Sequence, residues 1–187
     1  MKRYNTVKNI INKTLKDDDF ILVYGETLCK DISIYDDDRI LYLKQDFNIS
    51  VIIGLAMCTD KRLFLFCSDS DLISNLDVFS QIALSKLKNV VCVILKTKYD
   101  EDKSMPSLSN ELLSIKGMLF NMGFIVHDYS HFFKKVLSKK VKIYFDRLTG
   151  PICVIIKASE GVNKDIEGLN LSIKDNINRF KKTMVGK

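Results

Sequence analysis

Asp69 and Thr97 each close an apolar run, and they stand 28 residues apart. Asp69 follows RLFLFCS (62–68) and Thr97 follows VVCVILK (90–96). Both runs read as buried strands of the parallel type. Two such strands side by side would bring a carboxylate and a hydroxyl to one edge of a sheet, which is where open α/β sheets bind ligands. The competing reading makes Asp69 a turn residue that bonds its own backbone and caps the following helix. Asp71 reads as a helix N-terminal charge.

Other chemistry-bearing patterns are sparse. His127 and His131 lie four apart, a spacing that places two metal ligands on one helix face. A helix start at Ser130 would separate them. The five cysteines (Cys29, Cys58, Cys67, Cys92, Cys153) show no CxxC or Cys/His zinc spacing. No Ser–His–Asp or Cys–His pairing can be drawn from the sequence.

The elements that must position Asp69 and Thr97 follow from apolar periodicity. Val7, Ile10, Ile11 and Leu15 predict an amphipathic first helix, broken by the aspartates at 17–19. FILVYG (20–25), RILYLK (39–44), RLFLFCS, VVCVILK, FIVHD (124–128) and PICVIIKA (151–158) predict strands. Helices are expected over 26–32, over 49–58 (apolar all round, hence buried), over 71–87, and over 108–122 with Gly123 as its C-terminal cap. A longer helix is expected from about 130 to 148, and a terminal one through Ile173, Ile177, Phe180 and Met184. Residues 98–107 read as a polar loop. Strands alternating with helices predict an α/β fold: an open, mostly parallel sheet of about five or six strands with helices on both faces.

The chain has 187 residues, 47% hydrophobic and 28% charged, a balance that fits one globular domain with a sizeable core. The division expected is a core over 18–158, an N-terminal helix over 1–16 and a C-terminal helical tail over 160–187. Lys+Arg of 29 against Asp+Glu of 23 leaves +6, spread along the chain. That permits a phosphate ligand or loose nucleic-acid contact. Lysines of the first helix with Lys134, Lys135, Lys139, Lys140 and Lys142 would form the nucleic-acid face, or simply a solvated surface. Four cysteines sit inside apolar runs, where free Cys acts as a small hydrophobe. That usage suits a reducing compartment. With no signal-like apolar core in MKRYNTVKNIINK and no run of membrane length, a cytoplasmic protein is expected.

From about 18 to 158 the chain resembles the pyrophosphate-binding domain of thiamine-diphosphate-dependent decarboxylases, above all the sulfopyruvate and phosphonopyruvate decarboxylase group. YGETLCKDI (24–32), IIGLAM (52–57), SDSDLISNL (68–76), ILKTKY (94–99), MPS (105–107) and GPICVIIK (150–157) carry the likeness. SDSDLISNL falls where that family has Gly-Asp-Gly and then Asn-Leu. The resemblance implies that Asp69 supplies a carboxylate to Mg²⁺, that Thr97 falls on the family's second, asparagine ligand, and that Tyr99 offers a backbone carbonyl. Mg²⁺ takes six oxygens in near-octahedral array, and a threonine hydroxyl serves it in P-loops. Ser68 and Ser70 fall on the turn glycines that let the chain approach a diphosphate, and Asn75 on the asparagine of the next helix. Lys96 and Lys98 can offset phosphate charge.

The departures are specific. Both glycines are serine, the asparagine is Thr97, and KQDFNIS (44–50) lacks the glycines of the family's loop. Two functions follow as expectations. One is a diverged domain that keeps the fold and acts through association, as a homo-oligomer or with a partner chain. The other is an active β-type subunit of a two-chain 2-oxoacid decarboxylase. It would bind thiamine diphosphate and Mg²⁺, while a partner's pyrimidine-binding domain supplies the activating glutamate.

Overall fold

The structure is a computed structural model, and it describes residues 3–33, 37–44, 48–97, 99–100, 105–106, 113–130, 150–158 and 172–186. In chain order the elements are α1 (Arg3–Thr14), β1 (Phe20–Tyr24), α2 (Glu26–Ile32), β2 (Ile40–Leu43), α3 (Val51–Cys58), β3 (Leu63–Ser68), α4 (Asp69–Ser74), α5 (Leu76–Leu84) and β4 (Val90–Lys96). There follow β5 (Tyr99–Asp100), β6 (Met105–Pro106), α6 (Ile115–Met122), β7 (Ile125–Asp128), β8 (Ile152–Lys157) and α7 (Ile173–Val185). The helix expected from 130 to 148, its lysines, His131, the residues 108–112 and most of the segment before α7 lie outside the described residues.

Six strands form one all-parallel sheet in the order β2-β1-β3-β4-β8-β7, as the α/β reading expected. The period-two alternation of each strand splits the core in two. Phe20, Leu22, Leu65, Cys67, Cys92, Ile94, Cys153 and Ile155 face α3, α4, α5, α6 and α7. Ile21, Val23, Phe64, Phe66, Val91, Val93 and Val154 face α1 and α2. Every residue of β1 is buried, as are all but the last of β3, β4 and β8. Strands apolar on both faces are what a parallel sheet between helix layers requires.

Several expectations are corrected in detail. The helix over 71–87 is two helices, α4 and α5, because Ser68 caps the first one early and Asn75 (φ −129°, ψ 34°) leaves helical geometry between them. α3 is not buried all round: Ile52 and Ala56 turn inward while Val51, Gly54, Met57 and Cys58 are exposed. The helix before β7 begins at its Ser114 cap, whose hydroxyl accepts from Gly117 N–H, and Gly123 (φ 104°) ends it as expected. Within 98–107, β5 and β6 form a two-residue antiparallel ladder.

The terminal helix packs on the sheet's β2 edge. Buried Phe180 meets Phe20 edge to face, ring centroids 5.3 Å apart. Asn176 donates its side-chain amide to the carbonyl of Tyr42 at 3.1 Å, satisfying an acceptor that an edge strand would otherwise expose. Arg179 pairs with Asp38.

At the opposite ends of the inner strands, Asp19 and Arg62 form a buried two-point ion pair, Nε–Oδ1 2.7 Å and Nη2–Oδ2 2.6 Å. Asp19 Oδ2 also accepts Lys16 N–H at 2.7 Å. The aspartate that the sequence reading took only as a helix breaker is the polar anchor where β1 begins. Removing one partner of such a pair strands a buried charge, so Asp19→Ala should lower unfolding free energy by about 3–5 kcal/mol. The paired replacement Asp19→Leu with Arg62→Met should recover most of that in urea titrations.

None of the five cysteines is disulfide-bonded. Burial pushes the thiols of Cys67, Cys92 and Cys153 well up, and holds that of Cys29 at about 12. Above pH 9 the unfolded chain sheds thiol protons that the folded chain keeps. A folded pKa above the unfolded one gives stability that is whole at lower pH and lost as pH rises. The unfolding free energy from urea titration should therefore fall between pH 9 and 11, by about 1.4 kcal/mol per pH unit for each fully titrating thiol. Cys92→Ala should flatten that slope.

Candidate functional site

The strand order reverses at β1: β2 lies on one side of it and β3 on the other. The chain leaves β1 into α2, which packs on one face of the sheet. It leaves β3 into α4, which packs on the other. Such a topological switch point opens a crevice at the C-terminal ends of the strands. Here the crevice is bordered by Tyr24 and Gly25 after β1, by Ser68, Asp69 and Asp71 after β3, and by Thr97 after β4.

Asp69 and Thr97 do come together. Asp69 is 0% and Thr97 4% exposed. One carboxylate oxygen, Asp69 Oδ1, accepts from both the backbone N–H and the hydroxyl of Thr97, each at 3.4 Å. Both bonds are longer than ordinary ones. The parallel pairing of β3 with β4, Ser68 opposite Leu95, sets this juxtaposition.

Ser68 is turned to its own helix. Its hydroxyl accepts Asp71 N–H at 3.0 Å and donates to Asp71 Oδ2 at 2.6 Å, while Asp71 Oδ2 also accepts Ser68 N–H at 3.1 Å. This is a complete capping box. It places the Asp71 carboxylate against Gly25, whose φ is 102°. A Cβ there would lie 2.7 Å from Asp71 Oδ2. Asn75, at the break between α4 and α5, donates to Asp71 O at 2.8 Å and lies near the Tyr24 phenol. Burial pushes that phenol's pKa up, with the Asp71 charge adding to it and the Asn75 side chain opposing.

The structure thus gathers Ser68, Asp69, Asn75 and Thr97 at one edge. Ser70 lies in the first turn of α4, and Tyr99 falls on the short β5–β6 ladder. His127 sits on β7, not on a helix, and its pKa is lowered by burial. No cluster of three His, Cys, Asp or Glu side chains suited to a metal occurs among the described residues. Sequence reasoning missed the Gly25–Asp71 contact and the nearness of Tyr24 to Asn75. The spacing Ser68-x-x-Asp71 was the available signal for the capping box.

No protein-family model and no curated protein matches the sequence. Solved structures do. One is a protein from Mycobacterium smegmatis classed as a thiamin diphosphate-dependent enzyme: TM-score 0.65 and 13% identity over 86% of this chain and 32% of that one. Another is the thiamine diphosphate-dependent 4-hydroxybenzoylformate decarboxylase of Rhodococcus jostii RHA1: TM-score 0.61 and 11% identity over 88% of this chain and 33% of that one. At these identities the likeness is one of fold. The chain has the thiamine-diphosphate-binding fold and spans about a third of the length of the proteins it matches.

The contact at Gly25 is open to test. Gly25→Ala forces both a positive φ and a collision with Asp71, so it should cost about 1–3 kcal/mol. Adding Asp71→Ala should relieve the collision while leaving the φ cost. Ser68→Ala removes the cap and should cost about 1 kcal/mol. Thermal or urea unfolding of the variants measures all three.

Proposed function

We propose that this chain is a thiamine-diphosphate-fold domain that has given up its cofactor and acts through association, without catalysis of its own. The observation that carries this reading is that the chain's own Asp71, clamped by Ser68, stands against Gly25 at the switch point. A magnesium-bound diphosphate needs oxygens presented outward and a turn it can approach closely. Here Asp69 is wholly buried and turned to Thr97. The Ser68 hydroxyl is spent on the cap, and the Asp71 carboxylate stands where the turn would be approached. The residues present do not fit that group.

Association has its own support. Leu84 on α5 and Phe120 on α6, helices that touch, are 79% and 69% exposed, and exposed apolar patches mark interaction surfaces. The partner is a second copy or a chain bearing a pyrimidine-binding domain. The five free thiols support a reducing compartment, which we take to be the cytoplasm. No helix among the described residues is long and apolar enough to cross a membrane.

A second reading rests on the meeting of Asp69 and Thr97: an active β-type subunit whose partner supplies the activating glutamate. One experiment separates the two. A ligand at a hundredfold its Kd adds about 2.7 kcal/mol, or roughly 5–10 °C for a chain of this size. With thiamine diphosphate and Mg²⁺ the melting temperature should not move. A shift of that size, lost in Asp69→Asn, would overturn the first reading in favour of the second. Light scattering should find an assembly that Phe120→Asp weakens; a monomer at every concentration counts against association with itself.

A further inference from the structure

On the β2 edge, away from the strand tips that carry Asp69 and Thr97, α3 and α7 leave a groove of about 670 Å³ between them. Its floor is Leu41, Leu43 and Phe180, all buried. Val51, Leu55 and Cys58 form the α3 wall, and Ile177, Met184 and Val185 the α7 wall. Among the described residues that line it, only Thr59 and Lys181 are polar, and none is acidic. A volume in this range with apolar walls and few polar groups is the usual form of a small-molecule site.

The walls are fixed before any ligand arrives. Asn176 ties α7 to β2, Arg179 ties it to Asp38, and Phe180 is seated on Phe20. The charge about the groove is positive. Lys181 lines it. Lys61 donates to the carbonyl of Met184 at 3.3 Å and lies 5.0 Å from the Phe20 ring centroid. Lys174 and Lys182 add further cations along α7, against the single acid Asp175, while Arg179 is paired with Asp38.

A second copy seated here across a two-fold axis would bring two such basic helices together, since an isologous interface pairs a surface with itself. The complementary occupant is apolar along its length and anionic at one end. We propose that the groove binds a long-chain carboxylate, its alkyl chain lying between α3 and α7 and its carboxylate at Lys181. This stands independently of what the strand tips do.

The test titrates the full chain with decanoate, dodecanoate and dodecanol, below their micelle concentrations, by calorimetry. In parallel, alkylation of Cys58, the exposed thiol beside four buried ones, reports occupancy of the groove. Expected are saturable one-to-one binding of dodecanoate, slower alkylation of Cys58, and affinity roughly tenfold tighter for dodecanoate than for decanoate. Dodecanol should bind about threefold to fivefold more weakly than the acid, the worth of an exposed ion pair, and Lys181→Gln should erase that difference. Ile177→Trp, at a position open to solvent, should fill the groove and abolish both binding and protection in a chain whose circular dichroism is unchanged. No saturable heat with unprotected Cys58 would overturn the proposal. So would equal affinity for acid and alcohol in the unmodified chain, or binding that survives Ile177→Trp. A dimer that Ile177→Trp converts to monomer, with no acid bound, would assign the face to self-association.

Discussion

The inner four strands are buried on both faces, and that double burial governs where polar chemistry can occur. A polar side chain along β1, β3, β4 or β8 would lie between two helix layers with no water to solvate it, at a cost of kilocalories unless paired. Charged groups therefore collect at the strand ends. At one end Arg62 enters β3 and closes on Asp19 where β1 begins. At the other, Ser68, Asp69, Thr97 and Gly25 mark where β3, β4 and β1 run out. The sheet thus fixes the tips in relation to one another before any side chain there has a role.

What happens at those tips turns on one substitution pattern. A glycine at position 68 would have no side chain with which to cap α4. A serine does, and a capping hydroxyl is worth about 1 kcal/mol to the helix that it starts. The same hydroxyl draws in Asp71, and Asp71 occupies the space above Gly25. The cap on α4 and the placing of Asp71 over Gly25 are thus one feature. Asp69 follows the same inward logic, its Oδ1 shared between two donors of Thr97.

The strands were legible because unbroken apolar runs of five to seven residues, such as FILVY and VVCVILK, have few other homes in a chain of this length. The meeting of Asp69 with Thr97 was legible for the same reason, since adjacent parallel strands leave their tips side by side. The order of the last strands was not: β8 inserts between β4 and β7, and nothing in PICVIIKA distinguishes an inner strand from an outer one. α3 misled because its composition is apolar all round, while burial depends on what packs beside it. Ile52 and Ala56 are buried, Ile53 and Leu55 pack beside them, and the remaining surface is partly the wall of a groove that the return of α7 creates. Asp19 looked like one helix breaker among three; its partner Arg62 is 43 residues away, a separation that no local pattern encodes.

A net charge of +6 hides an uneven distribution that bears on every ligand considered. Helix N-termini at the C-terminal edge of an α/β sheet attract anions through their free N–H groups and the helix dipole. In this chain those positions carry its own carboxylates: Glu26 opens α2, and Asp69 and Asp71 lie in the first turn of α4. These side chains meet the helix dipoles from within the chain. Along α7 the balance reverses, with Lys174, Lys181 and Lys182 exceeding Asp175 while Arg179 is paired with Asp38, and Lys61 of a neighbouring turn joins them at the Met184 carbonyl. Fixed carboxylates thus mark the strand tips, and lysines mark the helix-lined edge of the sheet.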